Sequence, residues 1–387
     1  MKVKQVAEQP EEEVVTDMAF GFLKNLIGPK APDTGAIDIG SNTIKMCQLQ
    51  GTSANLTLWK FVTCPTPAAA IKDGAIMESS SLGEAIREMI SANGLNVKKV
   101  VTSVAGQQVV IRPIPMPKMP AKELSQAIQF EAERYLPYSV TEAQVSGSII
   151  SEDSGDGKNM EVLLIAVPKE ITEKTKLVIS ASGVETGAID IEPLAIYRSL
   201  KFSLDAEQLS KTFALINLGA ATTSISIFKS GTLRHCRTVS AAGNSFTKAI
   251  GQSLNLSFEE AEQIKKEKGI IKVDSDPNPL PPTAMRIFNV IDPVLNELVT
   301  EVQRSFDYYR SRYRGEGIES VILSGGTARF KNLDAYLSAK LGVRCEVANP
   351  FRRVNVTRAQ ESSSEQLADL APMASVVMGL ALYEVKA

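Results

Sequence analysis

Histidine is almost missing from this chain: there is one in 387 residues. The four cysteines, Cys47, Cys64, Cys236 and Cys345, lie far apart and form no Cys-x-x-Cys pair. Both scarcities argue against a four-ligand zinc site. Cys47, Cys236 and Cys345 sit in or beside strand-like runs and read as buried free thiols, which suits a reducing cytoplasm. No apolar run approaches the roughly 18 residues of a membrane span. No Gly-x-x-x-x-Gly-Lys-Ser/Thr occurs, which excludes a P-loop NTPase, and no Gly-x-Gly-x-x-Gly follows a strand, which disfavours a dinucleotide-binding dehydrogenase. An excess of one charge sign is also lacking. Formal net charge is -2, and without a basic patch, an RNA-binding signature or a zinc finger, nucleic acid is not an expected partner.

What is present is a globular composition, 44% hydrophobic, over a length that allows two domains or one bilobed chain. The stretch Gly35-Ala-Ile-Asp-Ile-Gly-Ser-Asn-Thr-Ile-Lys-Met46 organises the rest. A buried-strand run ends in a small polar turn, with Asp38 inside the apolar part. A carboxylate there needs a cation, a metal-bound water or hydrogen-bond donors. Gly40 lets backbone N–H groups approach an anion, and Ser41, Asn42 and Thr43 add side-chain donors. The pattern suits a magnesium phosphate, with Asp38 holding metal waters and the turn holding phosphate oxygens. Alone, it is also compatible with an ordinary hairpin.

A second copy follows in Leu215-Ile-Asn-Leu-Gly-Ala-Ala-Thr-Thr-Ser-Ile-Ser-Ile-Phe228. Asn217 stands where Asp38 stood, and Gly219, Ala220 and Thr222 form the turn. A third element, Val321-Ile-Leu-Ser-Gly-Gly-Thr-Ala328, breaks a strand at Gly325-Gly326 ahead of a helix-like pattern from Arg329. A Gly-Gly turn at a helix start lets backbone approach a nucleotide. Two phosphate-type hairpins and one strand–Gly-Gly–helix, in this order, resemble the actin-like ATPase superfamily.

Taken in order, residues 1–33 read as a flexible amino-terminal arm, polar up to Asp17 and acidic at Glu11-Glu12-Glu13. The short apolar run Met18–Gly28 reads as a helix packed on the domain or as a peripheral anchor, and Met18 is a second candidate start. Ser81-Leu-Gly-Glu84 has the form of a capping box, before a helical stripe of Leu82, Ala85, Ile86, Met89 and Ile90. Prolines then fall at nearly every second position of Ile111–Pro120, which predicts an extended edge segment. A helix, a strand pair and a second helix from Pro168 complete a small α/β unit. The expected domains are a first lobe (34–106 plus 184–211), the inserted unit (107–183), a second lobe (212–370) and a carboxy-terminal helix (371–387) returning to the first lobe.

The inserted unit, with Ile-Pro-Met-Pro-Lys-Met119 and Glu-Ala-Glu-Arg-Tyr-Leu-Pro-Tyr138, resembles the PilM family of type IV pilus assembly, relatives of the cell-division protein FtsA. Phe22–Gly28, Ala242–Ile250 and Asn349-Pro350-Phe351 carry the same resemblance. It implies a two-lobed α/β actin-like ATPase (ribonuclease H-like) fold with an inserted small α/β subdomain in the first lobe. It implies ATP and Mg2+ as cofactors. Further implied contacts are Lys45 on phosphate, Gly243, Asn244 and Ala328 around the nucleotide, Glu262 on ribose hydroxyls and Lys265 along the base. Glu192, at a strand-to-helix junction, would orient an attacking water; a helix-start acid before Pro193 is the bland alternative. Asn at 217, where many of the superfamily have Asp, keeps hydrogen bonds but cannot act as a base, so weak or absent ATPase activity is expected.

By the same resemblance the partner is the cytoplasmic amino-terminal peptide of a PilN-like inner-membrane protein, with PilO-type and pilus motor ATPase components beyond it. The expected groove lies between the first lobe and the inserted unit, near Ile111–Met119 and the 122–136 helix. The protein would be cytoplasmic, peripheral at the inner membrane, with self-association open. Alternatives are an FtsA-like filament former, disfavoured by the early end at Ala387, and a small-molecule kinase, for which only Asp190 and Glu192 offer an acid.

Overall fold

The computed structural model of the chain describes residues 32–154, 157–273, 279–314, 317–356 and 364–385. The expectations for residues 1–31 lie outside them.

The chain enters as a meander of β1 (Thr34–Ile39), β2 (Thr43–Thr52) and β3 (Asn55–Pro65). A two-residue hairpin follows, β4 (Ile71–Lys72) and β5 (Ala75–Ile76), then α1 (Ser79–Ala92) and β6 (Lys99–Val104). Both faces of this sheet are covered: Ala36 is buried on one, and Ile37, Ile44 and Met46 on the other. The expected capping box is not used. α1 starts two residues before Ser81, from Glu78, and Ser81 Oγ donates to the Glu78 carbonyl at 3.2 Å. Three consecutive serines give rival starts, while the apolar phase, with Leu82, Ile86 and Met89 inward, is unaffected.

The inserted unit is β7 (Val110–Pro117), α2 (Ala121–Ala132), β8 (Ala143–Ser151), β9 (Asn159–Pro168) and α3 (Lys169–Ala181). Its sheet runs β7-β9-β8, so the proline-rich strand is at an edge. Pro113, Pro115 and Pro117, two residues apart, strip N–H groups from one side of that strand. β7 lies beside the second lobe, where Arg312 donates to the Pro113 carbonyl at 3.4 Å and Arg234 pairs with Glu161. α2 buries Leu124, Ile128 and Ala132 against the unit's own sheet.

β10 (Glu185–Ile191), α4 (Glu192–Ser203) and α5 (Ala206–Ser210) return the chain to the first lobe. The second lobe is β11 (Thr212–Leu218), β12 (Thr223–Lys229), β13 (Thr232–Val239), α6 (Gly243–Leu254), α7 (Phe258–Lys268), α8 (Pro282–Arg312), β14 (Ser320–Ser324), α9 (Leu333–Leu341) and β15 (Cys345–Val347). α7 opens on a capping box at Ser257, and α8 buries Leu295, Leu298, Val302, Phe306 and Tyr309.

The first sheet, β10-β6-β1-β2-β3, and the second, β13-β12-β11-β14-β15, repeat one plan. In each, an antiparallel meander is extended by two parallel strands. A repeated sheet of this kind is the expected two-lobed arrangement, and it places the two polar turns, β1–β2 and β11–β12, opposite each other.

The span expected to be second lobe includes a crossing. β16 (Asn355–Val356) pairs in parallel with β3, and the Phe351 ring meets Phe61 edge-on at 5.5 Å. After α10 (Ser364–Leu370), the expected Pro372–Tyr383 helix is a 3-10 turn, Ala371–Ala374, and then α11 (Ser375–Ala381). α11 crosses α4 so closely that a Cβ on Gly379 would lie 1.7 Å from the Ala195 carbonyl oxygen.

Candidate functional site

Between the lobes lies a cleft of about 720 Å³. The β1–β2 turn, the β11–β12 turn, Gly243 at the start of α6 and the Gly325–Gly326 turn all line it.

In the first turn, Thr66 Oγ1 donates to the Gly40 carbonyl at 2.6 Å and Thr66 N to the Asn42 carbonyl at 3.1 Å. Those bonds satisfy two carbonyls from behind. Asp38 and Lys45 form an ion pair at 2.8 Å, both mostly buried, and Lys45 Nζ also donates to the Thr43 carbonyl at 3.2 Å. The pair gives the strand-tip acid one of the partners that a buried carboxylate needs, a cation.

The second turn is braced from three sides. Gly243 N donates to the Gly219 carbonyl at 3.0 Å, Asn244 N to Ala220 at 2.7 Å, and Thr327 Oγ1 to Gly219 at 3.0 Å. Asn244 therefore supports the turn and, with Ala328, is not part of the cleft lining. Gly325 takes φ +90, and a Cβ there would lie 2.3 Å from the Leu218 carbonyl oxygen. The helix expected after this turn begins later: Gly326–Arg329 is 3-10, and α9 starts at Leu333.

Glu192 is the first residue of α4 and lies half-buried in the cleft wall. Its Oε1 accepts from Asn217 Nδ2 at 2.9 Å and from Ser224 Oγ at 3.1 Å. Burial pushes its carboxyl above the ordinary range; the Asn217 bond opposes this and the Asp38 charge adds to it. Asn217 Oδ1 is buried with no hydrogen-bond partner among the described residues. Asp38 and Asn217 line the same cleft, and an orphaned hard oxygen and a carboxylate there, with hydroxyl and amide donors around, fit a magnesium ion held through water and phosphate. No cluster of three metal-ligating side chains occurs among the described residues, so an all-protein cage does not compete with that fit.

On the opposite wall, Lys265 Nζ contacts Glu262 Oε2 at 2.5 Å, Thr247 Oγ1 at 2.8 Å and the Gly243 carbonyl at 3.1 Å. Lys265 is thus tied into the wall rather than extended along a base. Burial holds its ammonium below the ordinary lysine value. Burial works to raise Glu262, but Lys265, Thr247 and Lys266 together hold it low. Asn42 Nδ2 reaches Glu262 Oε1 at 3.4 Å, from one lobe to the other.

Sequence reasoning missed Thr66, Ser224, Thr247 and Thr327. It also missed the cleft's far arm, formed by β4–β5, residues 103–108 and the first turns of α3. In this arm residues of the first lobe and of the inserted unit line one groove; Ile111–Met119 and α2 are not among its lining. β7 lies against the second lobe, and α2 packs its inward face on its own sheet.

A family model described as type IV pilus assembly protein PilM matches residues 36–385. Among solved structures, the PilM-PilN type IV pilus biogenesis complex is similar at 28% identity and a TM-score of 0.80, over 92% of this chain and 100% of that one. MreB5 of Spiroplasma citri bound to ADP aligns over 91% of this chain and 95% of its own, at 14% identity and a TM-score of 0.52, a likeness of fold. The cell division protein FtsA of Bacillus subtilis (strain 168) is 26% identical over 258 residues, 60% of this chain. The chain spans 57% of that relative's length. The architecture is the actin-like ATPase fold with an inserted α/β subdomain.

Proposed function

The chain belongs to the PilM family of type IV pilus assembly proteins, and from that premise we propose that it binds ATP with Mg2+ between its lobes and holds the cytoplasmic amino-terminal peptide of a PilN-like inner-membrane protein. The observation that carries this is the convergence of three glycine turns, from both lobes, on one cleft. Gly40–Thr43 and Gly219–Thr222 would hold phosphate oxygens through backbone N–H groups. Asp38 and Asn217 Oδ1 would accept from metal waters, with Lys45 turning from Asp38 to phosphate. Magnesium would supply charge neutralisation between the phosphates. Gly325–Gly326 would let the base approach backbone beside Lys265 and Glu262.

ATP turnover is expected to be weak or absent. Glu192 spends Oε1 on Asn217 and Ser224, and Asn217 cannot take a proton. Asp190 is paired with Arg198 at 2.8 Å, which leaves the small-molecule kinase reading without a free acceptor base at that position.

The peptide would lie in the arm of the cleft where α3 and residues 103–108 face each other. Ile71, Ile76, Val104 and Ile171 offer apolar contacts there, beside the Lys174–Glu170 ion pair. Because this arm is continuous with the nucleotide cleft, lobe closure on ATP would change its width. Among the described residues no helix is long and apolar enough to cross a membrane. Attachment at the cytoplasmic face of the inner membrane would come through the peptide, with PilO-type and motor components beyond it.

Titration of a PilN-type amino-terminal peptide, with and without ATP and Mg2+, tests this reading. Binding that shifts with nucleotide supports it; no binding in either condition contradicts it. The FtsA likeness favours a second reading, a filament former, for which nucleotide-dependent pelleting is the test.

A further inference from the structure

β8 is a free edge. It lies at the end of the order β7-β9-β8 and, among the described residues, pairs only with β9. An unpaired strand edge is a template for another strand, and proteins usually blunt one with charge, proline or a covering element. β7 at the opposite edge carries three prolines and is covered by the second lobe. β8 runs nine residues, Ala-Gln-Val-Ser-Gly-Ser-Ile-Ile-Ser, with no charged residue and no proline.

The sequence of this edge reads nearly the same in both directions about Gly147: Val145-Ser146-Gly147-Ser148-Ile149. We propose that β8 pairs with β8 of a second copy of this chain, antiparallel, about a two-fold axis at Gly147. A two-fold interface must be self-complementary. Here Ser146 would face Ser148 of the partner subunit, and Val145 would face Ile149 of the partner subunit. Within the nine residues of the strand nothing charged meets its like. The two three-stranded sheets become one of six strands.

The faces are consistent with this. Val145 and Ile149 pack with the α2 cluster, and a Cβ on Gly147 would lie 3.0 Å from Ile128 Cγ1. Ser146 and Ser148 therefore point to the other face, where both are exposed. Gln129 Nε2 donates to the Val145 carbonyl at 3.3 Å, an exposed bond that exchanges readily for a strand partner. A strand pair buries less than a standard interface, so the dimer is a weak one, with Kd on the order of 10–100 µM.

Sedimentation equilibrium of the full chain, up to roughly 200 µM, tests it. The expected result is a reversible dimer. Ser146→Lys/Ser148→Lys sets like charges across the axis at both pairs and is expected to weaken the dimer at least about tenfold. Ser146→Lys/Ser148→Glu sets opposite charges there and is expected to retain it. Both sites are exposed, and circular dichroism checks that each variant folds. A chain monomeric at the highest concentration overturns the proposal and leaves the edge to an extended segment of another protein. So does a dimer to which the two variants respond alike. Neither readout depends on nucleotide or peptide binding.

Discussion

Glu192 and Asn217 meet across the lobe boundary, with Asn217 Nδ2 donating to Glu192 Oε1 at 2.9 Å. This contact gives the asparagine a physical reason. An aspartate at 217 would set two carboxylates against each other, whereas the amide donates to Glu192 and leaves its own oxygen unpartnered.

Asn217→Asp is therefore expected to destabilise the metal-free protein at neutral pH by about 2–4 kcal/mol, because one buried carboxylate must be repelled or protonated. The loss should shrink in acid and on adding Mg2+. Denaturant unfolding at two pH values, with and without the metal, measures it.

Glu192 sets a pH dependence of its own. Its folded-state carboxyl is raised, burial being the largest cause. The folded protein thus binds this proton more tightly than the unfolded chain. Stability from this group falls as pH rises from about 4.3, the unfolded value, through the folded one, and is level beyond. Glu192→Gln removes that fall. The variant should melt above the parent at neutral pH, with the difference disappearing below about pH 4.

The Glu161–Arg234 pair joins the inserted unit to the second lobe, and both side chains are mostly buried. Arg234→Ala strands a carboxylate and should cost about 3 kcal/mol. Glu161→Leu/Arg234→Leu should cost less than the sum of the single changes. A double-mutant cycle by chemical unfolding resolves the coupling.

Gly379→Ala drives a methyl into the Ala195 carbonyl where α11 crosses α4. The helices must part, at about 3 kcal/mol or more. Since both lead between the lobes, ATP affinity should fall together with thermal stability, as paired calorimetry and melting would record.

The phosphate turns were legible because each is local: a buried strand, a small residue, hydroxyls and a second strand within a dozen positions. The prolines of β7 declared an edge for the same reason. Features resting on distant contacts were hidden. β16 pairs with β3 some 300 residues away. Thr247 meets Glu262 only once α6 and α7 pack together. Ser224 was recoverable, since counting the hairpin register back from the Gly219–Thr222 turn places it opposite Asn217. Lys265 has the residue type of a base contact, but its ammonium is already committed to Glu262 and Thr247. The start of α1 was misread because three serines compete to begin it.

Nucleotide binding in the cleft is tested most directly by ATP affinity from titration calorimetry, with Mg2+, for the native chain and for Asp38→Ala. Micromolar or tighter binding is expected, about -8 kcal/mol or stronger, weakened at least about tenfold by the substitution, with most of the difference lost when Mg2+ is removed. No binding by the folded native chain, or equal affinity of the two proteins in Mg2+, would contradict it.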